Sequence, residues 1–281
     1  MSTTNILAIH DLSCFGRCSL SVIIPTLSAM GHQVTALPTA LLSTHTGGFE
    51  NMTFYDLSDT MLPNFRHMLA SNAHFDAIYP GFLGNAGQID TVSEIIDSLP
   101  EAFVFVDPVM GDDGVLYQTY TKALCERMRE LCSKAHAITP NFTEACLLLG
   151  RDYIKTSEKE AAEVAELTAE MTAALHRKYG CDYIALTGAE CREGKLKYVC
   201  TAALSNGSFE FIKNPCVGAS YPGTGDIFAS VLLGDILSKK DFVSGARRAS
   251  VFVGECALDT YNAQTAVRDG VLLEKNLFRL I

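Results

Sequence analysis

No apolar stretch in this 281-residue sequence approaches the roughly 18 residues that a membrane-spanning helix needs. The start, MSTTNILAIHD, has no basic region ahead of its short apolar run, so a secretory leader is not expected and a cytoplasmic location is. Charge of one sign is scarce but not clustered: 22 basic against 32 acidic residues leave a net charge of −10 with no block of like charges, which excludes a nucleic-acid or anionic-membrane surface as partner. The ten cysteines contain no C-x-x-C pair, so reduced, mostly buried thiols are expected rather than a disulfide framework or a zinc site. There is no G-x-S-x-G elbow, no G-x-x-x-x-G-K loop and no G-x-G-x-x-G after the first apolar run. A serine hydrolase, a P-loop enzyme and a dinucleotide-binding fold are thereby set aside. Repeats, linkers and low-complexity segments are also missing, and one domain over residues 1–281 follows, with 48% hydrophobic residues to fill its core.

What is present is a regular alternation. Short apolar runs at 5–10, 34–42, 76–83, 103–109, 136–140 and 182–188 alternate with helical periods near 17–30, 56–71, 87–98, 119–133, from about 143, and 157–179. Near-continuous apolar strands separated by helices predict an α/β protein: a three-layer α/β/α arrangement around a mostly parallel sheet. Ser205-Asn206-Gly207 reads as a hairpin turn, so antiparallel edges are expected late in the chain, before two closing helices near 226–238 and 241–261.

The stretch with the most chemistry is GASYPGTGDIFASVLLG at 218–234. Gly223, Thr224 and Gly225 make a tight turn directly ahead of a helical pattern, which predicts a helix N-terminus with free amides and the positive end of its dipole, an anion site without a basic side chain. Asp226 conflicts with a bound phosphate unless it accepts the proton of a hydroxyl attacking that phosphate; its alternative is a first-turn charge or cap.

In open α/β sheets, ligands bind beyond the carboxyl ends of the strands. Asp11, Ser43 to Gly48, Gly81, Asp107 to Gly114, Thr139 to Glu144 and Thr187-Gly188 all follow predicted strands. Asp107, Asp112 and Asp113, with Asn141 and Glu144, supply the oxygen ligands that suit magnesium on a nucleotide, although Asn141 and Glu144 also read as a plain capping box. Of seven histidines only His10 and His45 are placed near this rim; His32, His67, His74, His136 and His176 read as surface or satisfied core positions.

GTGD at 223–226, TPNFTE at 139–144, DPVMGDDG at 107–114 and LTG at 186–188, in this order, resemble the ribokinase-type kinases. FG at 15–16, STHTGG at 43–48 and PGFLG at 80–84 resemble the pyridoxal (vitamin B6) kinase branch. That resemblance implies ATP-dependent phosphorylation of the 5′-hydroxymethyl group of pyridoxal, pyridoxamine or pyridoxine, with Mg²⁺, room for a monovalent cation such as K⁺, and a homodimer. It makes Asp226 the catalytic base and the amides of Gly223, Thr224 and Gly225 the anion hole. Asn141 and Glu144, with Asp107, organise magnesium partly through water. Asp112, Thr139, Thr187 and Gly188 lie around the ATP phosphates, and His45, Thr46, Gly47, Phe82 and Tyr117 toward the vitamer. Asp11 departs from the serine common in the branch, and Phe82 from a tyrosine; Asp11 either meets a substrate cation or caps its loop and pairs with Arg17. Cys18 reads first as packing.

Three other readings remain. A hydroxymethylpyrimidine kinase commonly carries Cys where Asp226 stands. Sugar and nucleoside kinases add a β-stranded lid after the first strands, for which no extra segment is expected here. A silent vitamer-binding protein would share the pocket without the turnover.

Overall fold

The structure is a computed structural model that describes residues 3–281. The chain begins β1 (Asn5–Ile9), β2 (Leu12–Phe15), α1 (Leu20–Ala29), β3 (Gln33–Ala36), β4 (Ala40–Thr44) and β5 (Phe54–Asp56). It continues α2 (Ser58–Ala70), β6 (Ala77–Pro80), α3 (Gly87–Ser98), β7 (Phe103–Val106), β8 (Gly111–Asp112), β9 (Val115–Leu116), α4 (Lys122–Cys132), β10 (Ala137–Ile138), α5 (Phe142–Leu149) and α6 (Ala161–Tyr179). β11 (Tyr183–Glu193), β12 (Leu196–Ser205), β13 (Ser208–Pro215), α7 (Thr224–Leu237) and α8 (Phe242–Ala263) complete it.

The main sheet has eight strands in the order β13-β12-β11-β10-β7-β6-β1-β3. Every pair from β3 to β11 is parallel, and the last two pairs are antiparallel. The turn between β12 and β13 has Asn206 at φ 49° and Gly207 at φ 80°, the left-handed pair that a two-residue hairpin requires. Successive side chains of a strand point to opposite faces, and the layers follow from that period. Leu7 and Ile9 of β1 join the core under α2 to α6, whereas Ile6 and Ala8 join the core under α1, α7 and α8. On the second face Ala8, Ala77, Ala137, Ala185 and Ala203 are small, and α7, buried at ten of its fourteen residues, shares the core with them. All ten cysteines are free, and seven are buried. Among the described residues no helix is long and apolar enough to cross a membrane.

Three expectations change. The apolar run 34–42 is two strands, because Pro38 has no N–H to continue the ladder and the chain leaves the main sheet there. β4 instead pairs with β2 and β5 in a separate three-stranded sheet, so Ser43 to Gly48 follow a strand of that sheet and not of the main one. This small sheet also corrects the expectation of no strand-built addition after the first strands. Its members are three to five residues long and lack the long apolar pattern that would reveal them.

Candidate active site

The parallel register places the carboxyl ends of β1, β6, β7, β10 and β11 along one rim, and Asp11, Gly81, Asp107, Thr139 and Asn141 follow those ends. An isolated parallel bridge between Asn141 and Thr187 extends the rim to β11. α7 starts against it. Gly223 has φ 85°, and a Cβ there would lie 2.2 Å from the backbone oxygen of Arg17, so the turn rests directly on the segment 17–18. Among the described residues no side chain caps α7, and the first amide of this turn to close a helical bond is that of Ile227, to Gly223 at 3.0 Å. The amides of Thr224, Gly225 and Asp226 thus stand at an open, positive helix end.

Asp226 is buried in the first turn of α7. Its Oδ2 accepts the Ser19 N–H at 2.9 Å and the Cys18 thiol at 3.5 Å. Burial pushes its carboxyl up to about 6, the Ser19 N–H pulling it down and the charge of Asp11 pushing it up. That value suits a base working near neutral pH. Cys18, read from sequence as packing, therefore also touches the carboxylate, and its own thiol is held far above its usual range by burial and by the charges of Asp226 and Asp11.

Asp11 is buried, and both its oxygens are engaged: Ser19 Oγ donates to Oδ1 and Ser13 Oγ to Oδ2 at 2.8 Å. Arg17 is not its partner; that guanidinium pairs with Glu274 at 2.7 Å. Sequence reasoning missed Ser13 and Ser19, because a serine before a helix looks like any cap and nothing in the sequence shows its backbone angles.

Asn141 and Glu144 form the capping box of α5. Glu144 Oε2 accepts the Asn141 N–H at 2.7 Å, Asn141 Oδ1 accepts the Glu144 N–H at 2.9 Å, and Glu144 Oε1 takes the Met110 N–H at 3.0 Å. Asn141 Nδ2 donates to the carbonyl of Gly111 at 2.8 Å, tying the β8–β9 hairpin to the rim. Asp107 and Glu144 are both buried, and both carboxyls are held well above their usual range, first by desolvation. The charge of Asp107 adds to that of Glu144, and the charge of Asp226 adds to that of Asp107. No Lys or Arg side chain bonds to Asp11, Asp107, Asp112, Glu144 or Asp226 among the described residues. This concentration of unpaired carboxylates fits a cation. Among the described residues no three His, Cys, Asp or Glu side chains converge to hold a metal by themselves, so phosphate oxygens and water must complete any such coordination.

Asp112 is exposed on the hairpin, and Thr187 and Gly188 sit beside Asn141 with Thr187 N–H bonded to Pro140 at 3.0 Å. Tyr117 is half-buried, and burial with the charges of Glu144, Asp112, Cys18 and Asp226 holds its phenol well above the usual range. Phe82 is buried with its ring edge against Tyr120 at 5.7 Å, in the core under α2 to α6. His45 is the anchor of its loop: Nδ1 accepts the Gly47 N–H at 3.1 Å, leaving the proton on Nε2, which donates to the carbonyl of Arg268 at 2.7 Å. The half-buried Thr46 and exposed Gly47 lie on the loop so anchored. His10 is fully buried beneath the rim, where burial lowers its imidazole to about 3 and keeps it neutral.

The model of the phosphomethylpyrimidine kinase family matches residues 23–270. The chain is 35% identical to a protein of Bacteroides thetaiotaomicron named for phosphomethylpyrimidine kinase and crystallised with pyridoxal; the TM-score is 0.88, covering 99% of this chain and 96% of that one. It is 30% identical to the pyridoxal kinase of Lactobacillus plantarum, with a TM-score of 0.85 over 99% of this chain and 97% of that one. A pyridoxine/pyridoxal/pyridoxamine kinase of Bordetella avium is 26% identical over 279 residues, 93% of this chain and 87% of the relative.

Proposed function

The chain belongs to the phosphomethylpyrimidine kinase family of ribokinase-like enzymes, and from that premise we propose that it is a vitamin B6 kinase, transferring the γ-phosphoryl group of ATP to the 5′-hydroxyl of pyridoxal, pyridoxamine or pyridoxine. The observation that carries this reading is a buried carboxylate poised at about 6 directly inside an uncapped helix N-terminus. Asp226 takes the proton of the attacking hydroxyl, and the amides of Gly223, Thr224 and Gly225 hold the charge of the transferring group, so base and anion hole act on two sides of one reaction. The aspartate at this place, where the pyrimidine kinases commonly have cysteine, favours the B6 reading within the family.

Magnesium would be held by Asp107 and Glu144 with water and phosphate oxygens; bound there it neutralises charge on the nucleotide. Asn141 keeps Glu144 in place through the capping box. Thr139, Asp112, Thr187 and Gly188 serve the phosphates, and Tyr117, Phe82, Thr46 and Gly47 the vitamer, with His45 fixing the loop that carries the last two. The protein works in the cytoplasm as a homodimer; the free thiols and the exposed Phe15, Leu41 and Tyr55 on the small sheet support this. The test is ADP release from ATP across the three B6 vitamers, hydroxymethylpyrimidine, its monophosphate and ribose. Turnover with the vitamers and little with the others is expected; preference for either pyrimidine would overturn the assignment.

A further inference from the structure

Ser19 is one of the few non-glycine residues with positive φ, at φ 52° and ψ −135°, a region that L-residues disfavour. It is buried, it stands at the N-cap of α1, and it caps nothing with its side chain. Its hydroxyl donates instead to Asp11, and its N–H to Asp226. The flanking backbone is clamped as well: Arg17 N–H donates to the carbonyl of Asp269 at 3.2 Å, and Gly223 and Gly270 both lie against Arg17 so closely that a Cβ on either would collide with its backbone. Ser13 secures the other oxygen of Asp11, and the carbonyl of Asp11 accepts the Leu20 N–H at 3.3 Å.

We propose that Asp11 is a positioning residue for the catalytic base: through the Ser19 hydroxyl it locks residue 19 in its left-handed conformation, which aims the Ser19 N–H at Oδ2 of Asp226 and leaves Oδ1 for the substrate hydroxyl. Without the tether, residue 19 relaxes toward negative φ and its N–H swings away, so Asp226 loses the bond that sets its orientation. This assignment rests on the kinase reading for its activity test alone. It differs from a substrate contact by Asp11 because it predicts the same effect on every vitamer, acting on kcat and not on KM.

Removal of the tether from either end should have the same result. Asp11→Ala and Ser19→Ala are each expected to lower kcat about tenfold or more for pyridoxal, pyridoxamine and pyridoxine alike, with KM within about threefold of the parent. Ser19→Gly also removes the hydroxyl, but glycine adopts positive φ without help, so its kcat should stay within about threefold of the parent. For the same reason Ser19→Gly placed on Asp11→Ala should restore most of the lost kcat. The Ala and Gly variants at position 19 suffice should Asp11→Ala fail to fold. Amide hydrogen exchange at position 19, read without substrate, should show protection in the parent and in Ser19→Gly and its loss in Ser19→Ala. That readout stands even if the parent phosphorylates no vitamer, an outcome that would refute the kinase reading alone. Equal kcat for Ser19→Ala and Ser19→Gly, no rescue of Asp11→Ala by Ser19→Gly, or a KM effect confined to pyridoxamine would each overturn the positioning role.

Discussion

Replacing Asp226 by Asn should separate activity from stability, moving them in opposite directions. Folding makes this carboxyl harder to ionise, raising it from 3.8 to about 6 chiefly by burial. A carboxyl with a raised folded value holds its proton more tightly in the folded chain. The folded state is therefore penalised in full above pH about 6, is relieved as pH falls through that value, and carries no penalty below 3.8. At about 1.36 kcal/mol per pH unit the penalty at pH 8 is about 3 kcal/mol. Asn carries no charge, yet its carbonyl still accepts the Ser19 N–H, so Asp226→Asn should unfold at a higher temperature at pH 8. With about 2 °C per kcal/mol for a chain of this size, the gain is about 6 °C, and it should vanish near pH 4. Over the same substitution kcat should fall about 10²- to 10⁴-fold, the scale of a lost general base, with vitamer and ATP binding retained. In the parent enzyme kcat/KM should decline below pH 6 as the base becomes protonated. Thermal unfolding at pH 4 and 8 and coupled ADP release measure the two effects. An Asn variant that is less stable at pH 8, or one with parental turnover, would refute the base and the cause given for its raised proton affinity.

Glu144→Gln leaves one of two amides without its acceptor but also removes a buried charge, so thermal unfolding should change little while the Mg²⁺ needed for half-maximal rate rises; an unchanged Mg²⁺ titration would leave only the capping role. Gly223→Ala places a Cβ 2.2 Å from the Arg17 oxygen at a left-handed position, and should cost about 1–3 kcal/mol by denaturant unfolding while lowering kcat, since the displaced segment carries the Ser19 N–H. Phe82→Ala should destabilise by about 3–5 kcal/mol, because the ring is buried against Tyr120; a variant of parental stability with raised vitamer KM would mean that Phe82 serves the ligand alone.

The period of the apolar runs determined the layers. Runs such as FVFVDPV and DYIALTG are too apolar to face water on either side, so helices had to cover both faces, and right-handed parallel connections bring their carboxyl ends to one rim. GTGD was legible for a similar reason: glycines before an apolar helical pattern leave few conformations other than a tight turn and an open helix end. Asn141 and Glu144 were legible as a pair but not as a role, since one spacing serves both a capping box and a cation; the structure makes the box and leaves the carboxylate beside Asp107.

What tertiary structure alone decided lies in contacts distant in sequence. Asp11 and Asp226 are more than two hundred residues apart, and only the packing of α7 beside α1 sets Ser19 between them. His45 became a loop anchor because the Arg268 carbonyl, from the far end of the chain, arrives at its Nε2. The small sheet of β2, β4 and β5 exists because Pro38 sends the chain out of the main ladder toward β2, and strands so short have no pattern of their own. Local pattern reports which face of a segment is apolar; the backbone angle of one serine and the partner of one carboxylate are set by whatever the completed fold packs against them, and that is where the geometry of the base is determined.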